Sequence, residues 1–187
     1  MTRILWRRLD TDGHDACRLA RMTDGWRLDG VAAFSHDGEP CGLRYRVDCD
    51  AAWRTRAARV DGWIAGREYV AEIDRADDGR WLLNGAEQAA ARGCVDIDLA
   101  FTPATNLLPL RRFALEIGAE TAALAAYLNV PATRLTRLEQ SYRRLDRTRY
   151  AYESPASGYA ATLEVAEVGF VTSYPGLWEA TGMPGGD

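Results

Sequence analysis

The chain has 187 residues, of which 47% are hydrophobic and 27% charged. This size and composition exclude a disordered chain and suit one globular domain that buries its core without disulfides or metals. The net charge of -4 provides no overall positive field for a phosphate backbone, so we expect no nucleic-acid partner. We interpret residues 1–187 as a single domain.

The first ten residues, MTRILWRRLD, hold a three-residue apolar run, which is far shorter than the hydrophobic region of a secretory signal. No window approaches the roughly 20 apolar residues of a membrane-spanning helix. We therefore expect a cytoplasmic protein without a membrane span. In that compartment Cys17, Cys41, Cys49 and Cys94 are expected to be reduced thiols, and their spacing matches no redox or zinc motif.

Residues 25–34 and 43–49 alternate between apolar and polar side chains, as half-buried strands do. Leu28 and Phe34 fall on the apolar side of the first run, and Tyr45 falls on that of the second. Between the runs, Asp37 and Gly38 supply the positive φ angles that a tight turn requires. The pattern predicts a β-hairpin.

A second hairpin is predicted from alternation over residues 69–73, the turn Asp77-Asp78-Gly79 and the short run of residues 80–84, with Trp81 facing the core. Alternation also predicts strands at residues 94–101, 111–117, 159–165 and 170–174. Residues 119–128 are Ala-rich, and we favour a strand there over a helix. Residues 135–145 suit a helix face and a strand equally well, and the choice stays open.

Many short strands separated by turn signals predict a mainly β domain with few helices, either a sandwich or an open or closed barrel.

Asp96 and Asp98 lie two apart on a predicted strand, so both carboxylates point to the face opposite the apolar side chains. They are able to perform acid and base chemistry if burial separates their pKa values, to lie in solvent, or to pair with Arg111 and Arg112 downstream. We favour structural pairing with these arginines, because charge pairs commonly organise neighbouring strands.

Metal and nucleophile chemistry have little support. His14 and His36 are the only histidines, and both fall in predicted turns rich in Asp and Gly. The chain has no Gly-x-Ser-x-Gly elbow and no Gly-rich phosphate loop. We expect no metal, no cofactor and no catalytic triad.

Aromatic side chains occur throughout the chain beside many arginines, and all of its cationic side chains are arginine. Trp and Tyr join an apolar body to a polar tip, which suits a site for an amphiphile, and Arg suits an anionic or sugar head group. The alternative is that these rings fill the core, which is the commoner role of a buried aromatic.

The segment GCVDIDLAFTPATNLLPLRR at residues 93–112 resembles the signature of the putative glycolipid-binding family of bacterial proteins. The resemblance extends over most of the chain, through Trp26 and Gly30, residues 45–56, Trp81, residues 140–142 and 150–153, and the YPGLW motif at residues 174–178. It implies a curved antiparallel sheet similar to the half-barrels of bacterial lipoprotein carriers, in which an apolar concavity holds acyl chains.

From this resemblance we expect a non-enzymatic protein that binds a lipid or glycolipid in an apolar cavity of a curved sheet forming a half-barrel or open barrel. Nine residues are expected to contact the ligand or brace its site: Trp53, Asp96, Asp98, Thr105, Asn106, Arg111, Arg112, Tyr142 and Tyr152. The alternative is a small hydrolase or isomerase that uses Asp96 and Asp98 and needs a raised pKa on at least one of them. A third hypothesis is an interaction module with a filled core and an exposed apolar patch.

Overall fold

A computed structural model describes residues 1–183 of the chain; residues 184–187 of the single predicted domain lie outside the described part. Strands account for 60% of the chain, against one α-helix of seven residues within the described part. The prediction of a mainly β protein is confirmed.

The strands follow one another closely along the chain. They are β1 Thr2–Arg8, β2 Gly13–Met22, β3 Gly25–His36, β4 Glu39–Asp50, β5 Thr55–Ile64, β6 Arg67–Arg75, β7 Trp81–Leu83, β8 Ala86–Glu87, β9 Asp96–Leu99, β10 Glu120–Leu128, β11 Thr136–Arg144, β12 Arg149–Ser154, β13 Tyr159–Val165, β14 Val171–Tyr174 and β15 Trp178–Gly182. The helix α1 is Leu107–Phe113, and short 3-10 turns occupy Ala89–Ala91, Pro103–Asn106 and Pro155–Ser157.

All fifteen strands belong to one sheet, in the order β8-β7-β6-β5-β4-β3-β2-β1-β15-β14-β13-β12-β11-β10-β9. Neighbours are antiparallel, except that β9 runs parallel to β10. The N-terminal and C-terminal halves are joined where β1 pairs with β15. The sheet is therefore a meander from β8 to β1 that continues through β15, and only the last strand, β9, departs from the antiparallel pattern.

The sheet is curved and does not close. Its two ends nevertheless approach each other: the Gln88 side chain beyond β8 accepts the N–H of Leu135 before β11 at 2.9 Å. On the inside, Thr55 of β5 accepts the N–H of Ile97 of β9 at 3.0 Å. The predicted curved, open antiparallel sheet is thus confirmed.

The first predicted hairpin is β3 and β4, paired in continuous register from Gly25 and Asp50 to His36 and Glu39. Its two turn residues, Asp37 and Gly38, have φ of 53° and 83°, so the left-handed conformation expected of them is present. The second hairpin is β6 and β7, and Trp81 is fully buried as predicted.

Residues 135–145, left open by the sequence, form strand β11, and residues 119–128 form β10 as favoured. The predicted strand over residues 111–117 is wrong, because the chain there completes α1 and leaves it through Ala114 in the left-handed conformation. His14 lies in β2 and not in a turn.

The core lies on the concave side of the sheet and takes the alternate side chains of the strands. The segment of residues 101–110 also lies in the core, since all ten of its residues are buried. All four cysteines are free and buried. Within the described part of the chain, no helix has the length and apolar character needed to span a membrane.

Candidate functional site

The segment that enters the concave side carries most of the predicted site residues. It begins with β9, continues through the 3-10 turn Pro103–Asn106 and ends in α1. Thr102 caps the turn by accepting the N–H of Ala104 at 3.0 Å, and the Thr105 hydroxyl accepts the N–H of Leu99 at 3.3 Å. Thr105 is 2% exposed and fixes β9 against the turn.

Asp96 and Arg112 form a two-pronged ion pair between β9 and α1. The Arg112 guanidinium donates from Nε to Oδ1 at 3.1 Å and from Nη2 to Oδ2 at 2.6 Å. The Asp96 side chain is 2% exposed and the Arg112 side chain is 17% exposed. Burial raises the pKa of Asp96, and Arg112 opposes that rise. The predicted brace is therefore present at Asp96, where it ties the helix to the sheet.

Asp98 has a different partner from the one predicted. Its Oδ2 accepts a hydrogen bond from Nε2 of Gln140 on β11 at 2.7 Å, and within residues 1–183 it makes no ion pair with an arginine. Burial raises the pKa of Asp98 to about 6, with Gln140 opposing the rise. A carboxyl group in this state is protonated for part of the time near neutral pH.

A buried polar network extends inward from Asp98. Asn106 donates to the Tyr142 hydroxyl at 2.9 Å, and that hydroxyl donates to Oε1 of Gln140 at 3.3 Å. Tyr142 packs on Tyr152, with ring centroids 5.0 Å apart. Asn106 and Tyr142 are almost completely buried, so these predicted residues hold the interior together.

Tyr142 and Tyr152 belong to a cluster of rings on four successive strands, β11 to β14. Tyr152 contacts Tyr159 and Tyr174 at centroid distances of 6.1 and 5.6 Å. Burial raises the pKa of Tyr152 to about 12, so its hydroxyl stays protonated at any physiological pH.

The remaining two predicted residues are Trp53, in the turn between β4 and β5, and Arg111, in α1. The Arg111 guanidinium carbon lies 5.2 Å from the Trp53 ring centroid, and Trp53 stacks on Trp26 at 4.5 Å. Trp53 has φ of 65°, a conformation that is unusual for a bulky side chain and costs free energy. Its turn is held by the Asp50 carboxylate, which accepts the N–H groups of Ala52 and Arg54, both at 2.9 Å.

A cavity of about 570 Å³ opens beside Arg111, and we call it the rim cavity. Its apolar lining includes Leu110, Tyr150 and Val165, and Arg144, Arg147 and Glu167 also line it. Arg144 donates to backbone carbonyls, including that of Leu115 at 2.8 Å. The rim cavity thus combines an apolar wall with arginine side chains.

Arg111 is fixed by packing and not by a carboxylate. Gly169, with φ of 104°, has no side chain, and a Cβ there would lie only 2.9 Å from Cδ of Arg111. Within residues 1–183, Arg111 makes neither an ion pair nor a hydrogen bond from its guanidinium. Its donors are therefore available to a ligand in the rim cavity.

Sequence reasoning missed a second buried carboxyl group, Asp15 on β2. Its oxygens accept hydrogen bonds from the Tyr45 hydroxyl at 2.9 and 3.2 Å and from the Thr102 hydroxyl. Burial raises the pKa of Asp15 to about 7, against these hydrogen bonds. A signal was present, since Asp15 is in phase with the apolar residues Cys17 and Leu19 along the strand.

No three histidine, cysteine, aspartate or glutamate side chains come together as a metal site among the residues the structure describes. His14 lies near the start of β2 and His36 at the end of β3, and because these strands are antiparallel, with His14 opposite Ala33, both histidines lie at the same end of the pair. Neither contacts the Asp96 and Asp98 region in any hydrogen bond or ion pair of the described chain.

The fold and sequence are similar to those of a solved protein. The crystal structure of a DUF1089 family protein from Pseudomonas aeruginosa, at 1.80 Å resolution, superposes with a TM-score of 0.78 at 31% sequence identity. The match covers 88% of this chain and 91% of that one. No curated protein matches the sequence.

A family model described as "Putative glycolipid-binding" matches residues 3–180, which is nearly the whole chain. It includes β9, the turn and α1, from which the site is built. The chain therefore belongs to the putative glycolipid-binding family.

Proposed function

We propose that this protein is a non-enzymatic binding protein that holds an acidic lipid or glycolipid at the rim cavity. The single observation that carries the proposal is Arg111, whose guanidinium is held against Trp53 without a carboxylate partner in the described chain. Arginine donates paired hydrogen bonds to planar or tetrahedral anions, so such a group suits an acidic head group.

The apolar wall supports an amphiphile over a free sugar. Leu110, Tyr150 and Val165 offer surface to a hydrocarbon chain beside the arginines. A cavity of about 570 Å³ is within the size range of ligand sites. Because residues 101–110 fill the centre of the concave side, the proposal places the ligand beside α1 and the β11–β12 and β13–β14 turns, and not in the centre.

We further propose that the protein acts in the cytoplasm. Four free and buried thiols are compatible with a reducing compartment. A ligand there would come from the inner face of a membrane or from lipid synthesis.

Replacing Arg111 by alanine is expected to weaken binding of an acidic glycolipid by about 10-fold to 100-fold, the effect of losing a hydrogen bond to a charged group. Sulfoquinovosyl diacylglycerol serves as the acidic probe and monogalactosyl diacylglycerol as the neutral one, both measured by native mass spectrometry. Arg111→Lys should retain part of the affinity, because lysine keeps the positive charge but lacks the planar guanidinium that donates two hydrogen bonds at once.

Arg67→Ala is the matched control, because Arg67 is an exposed arginine at the start of β6 and does not line the rim cavity. Equal affinity of wild type and Arg111→Ala for the acidic probe would reject the proposal. Native mass spectrometry of protein purified from its own host should also show a copurified lipid.

The enzyme hypothesis keeps one specific observation in its favour, the raised pKa of Asp98 at about 6. Against it, both oxygens of Asp96 are engaged by Arg112 and one oxygen of Asp98 is engaged by Gln140. We expect wild-type protein to show no turnover on a panel of ester, glycoside and phosphate substrates. Turnover that disappears in Asp98→Asn at an unchanged melting temperature would establish the enzyme hypothesis instead.

A further inference from the structure

A second candidate site lies on the face of the sheet opposite the core. A groove of about 630 Å³ crosses the outward faces of β1 to β5. Five arginines line it, one each from β1, β2 and β5 and two from β4, and we call these the outer arginines: Arg3, Arg18, Arg44, Arg46 and Arg59. The groove is separate from the rim cavity, with which it shares no residue.

The register places like charges side by side in this groove. Arg3 on β1 is directly opposite Arg18 on β2, and Arg46 on β4 is directly opposite Arg59 on β5. Like charges at directly opposite positions destabilise a sheet. A bound anion between these strands would relieve the repulsion.

The acidic side chains in the groove neutralise only part of this charge. Asp29 lies between two arginines, 3.4 Å from Arg18 and 3.2 Å from Arg46. Asp61 pairs with Arg59 at 3.1 Å. Asp29 and Asp61 are the two carboxylates that line the groove, against five arginines.

Two of the outer arginines, Arg3 and Arg44, form no ion pair within the part of the chain that the structure describes. Asp61 is directly opposite Arg44 in the register, but its carboxylate pairs with Arg59. Both are exposed, so their guanidinium groups are free to close on a ligand. The groove is therefore locally positive on a chain whose net charge is -4.

An apolar side chain lies among these charges. Val31 lines the groove, is 53% exposed and stands directly opposite Arg44. In the same row Leu5, which is 40% exposed, is opposite Ala16, and Ala16 is opposite Val31. An anion attached to an organic group suits this surface better than a bare inorganic ion.

We propose that this groove binds the phosphate group of an organic phosphate, with Arg3, Arg18, Arg44 and Arg46 as its donors. The forked guanidinium matches the geometry of a phosphate and donates two hydrogen bonds at once. The same group occurs in a phospholipid head group and in a soluble phosphomonoester, and the test separates the two sources.

The test uses the full chain at low ionic strength. One arm measures binding of glycerol 3-phosphate by calorimetry, with sodium chloride at matched ionic strength as the blank. The other arm measures cosedimentation with vesicles of phosphatidylcholine containing 20% phosphatidic acid, a proportion chosen as on the order of the anionic content of natural membranes. Vesicles of phosphatidylcholine alone serve as the blank.

The double variant Arg3→Ala with Arg44→Ala removes the two unpaired arginines and is expected to weaken binding at least about tenfold in whichever arm shows it. Because both side chains are exposed and unpaired, the variant should keep the wild-type melting temperature. Arg143→Ala, an exposed arginine on β11 outside the groove, is the matched control and should bind like wild type.

Binding of glycerol 3-phosphate that depends on Arg3 and Arg44 would assign the site to a soluble phosphate. Arginine-dependent binding confined to phosphatidic acid vesicles would assign it to a lipid head group. Binding in neither arm, or binding that the double variant leaves unchanged, overturns the proposal. This test measures dependence on Arg3 and Arg44, whereas the test of the rim cavity measures dependence on Arg111, and the two sites share no residue. Failure here is therefore distinguishable from failure at the rim cavity.

Discussion

Replacing Arg112 by alanine is expected to lower the free energy of unfolding by about 3 to 5 kcal/mol at neutral pH, the usual cost of removing one partner of a buried ion pair. The reason is that the Asp96 side chain is 2% exposed and loses both donors of its two-pronged partner. Burial already raises the pKa of Asp96, and it should rise further without Arg112. The difference in free energy of unfolding between wild type and Arg112→Ala should therefore shrink as the pH is lowered and Asp96 takes up a proton.

Urea unfolding at pH 7 and pH 5 measures this effect. Arg111→Ala is the matched control, since Arg111 is the preceding residue of α1 and has no carboxylate partner in the described chain. Loss of its contact with Trp53 should cost only about 0.5 to 1 kcal/mol. Similar losses in the two variants would show that the ion pair does not hold α1 against the sheet.

Stability is expected to fall as the pH rises from about 4 to 7, because Asp15 has a pKa of about 7 in the folded chain and an ordinary value near 4 when unfolded. The folded state binds the proton of Asp15 more tightly than the unfolded state does. The stabilisation from this proton is therefore complete below pH 4 and is lost as the pH rises through 7. For a fully buried group this difference amounts to about 4 kcal/mol. Asp98 acts in the same direction up to its pKa of about 6.

Asp15→Asn should remove most of this slope and raise the free energy of unfolding at pH 8 by up to about 4 kcal/mol. The amide is neutral at every pH, and its oxygen is able to accept the same hydrogen bonds from Tyr45 and Thr102. Urea unfolding from pH 5 to pH 8 provides the test, with Asp24→Asn in an exposed turn as the control. A variant that is less stable than wild type at pH 8 would mean that an ionised Asp15 is favoured in the fold.

The candidate site was partly predictable. The two-residue spacing of Asp96 and Asp98 does place both carboxylates on one face of β9, and an arginine from the following segment does pair with one of them. Spacing alone does not predict which of the two aspartates pairs with Arg112. That choice depends on the tertiary packing, which brings Gln140 of β11 within hydrogen-bond distance of Asp98 and α1 against Asp96.

The error at residues 111–117 has a related cause. Arg111, Phe113, Leu115 and Ile117 alternate like a strand, but they follow a segment whose residues 101–110 are buried without alternation. A chain that crosses the interior must satisfy its own N–H and C=O groups, and a helix does so within itself. Within residues 1–183 this segment pairs with no strand, and it forms the 3-10 turn and α1.

Local signals were enough to predict the mainly β class, the two hairpins and the family. These signals are the period-two alternation, turn residues such as Asp37 and Gly38, and the motif at residues 93–112. The other features required the tertiary structure. Packing of residues 101–113 against the sheet brings Arg111 against Trp53 and Thr102 against Asp15, and the pairing of β1 to β5 places the outer arginines in one groove. These contacts join residues far apart in the chain, and their partners are set by strand order and register, which local spacing does not encode.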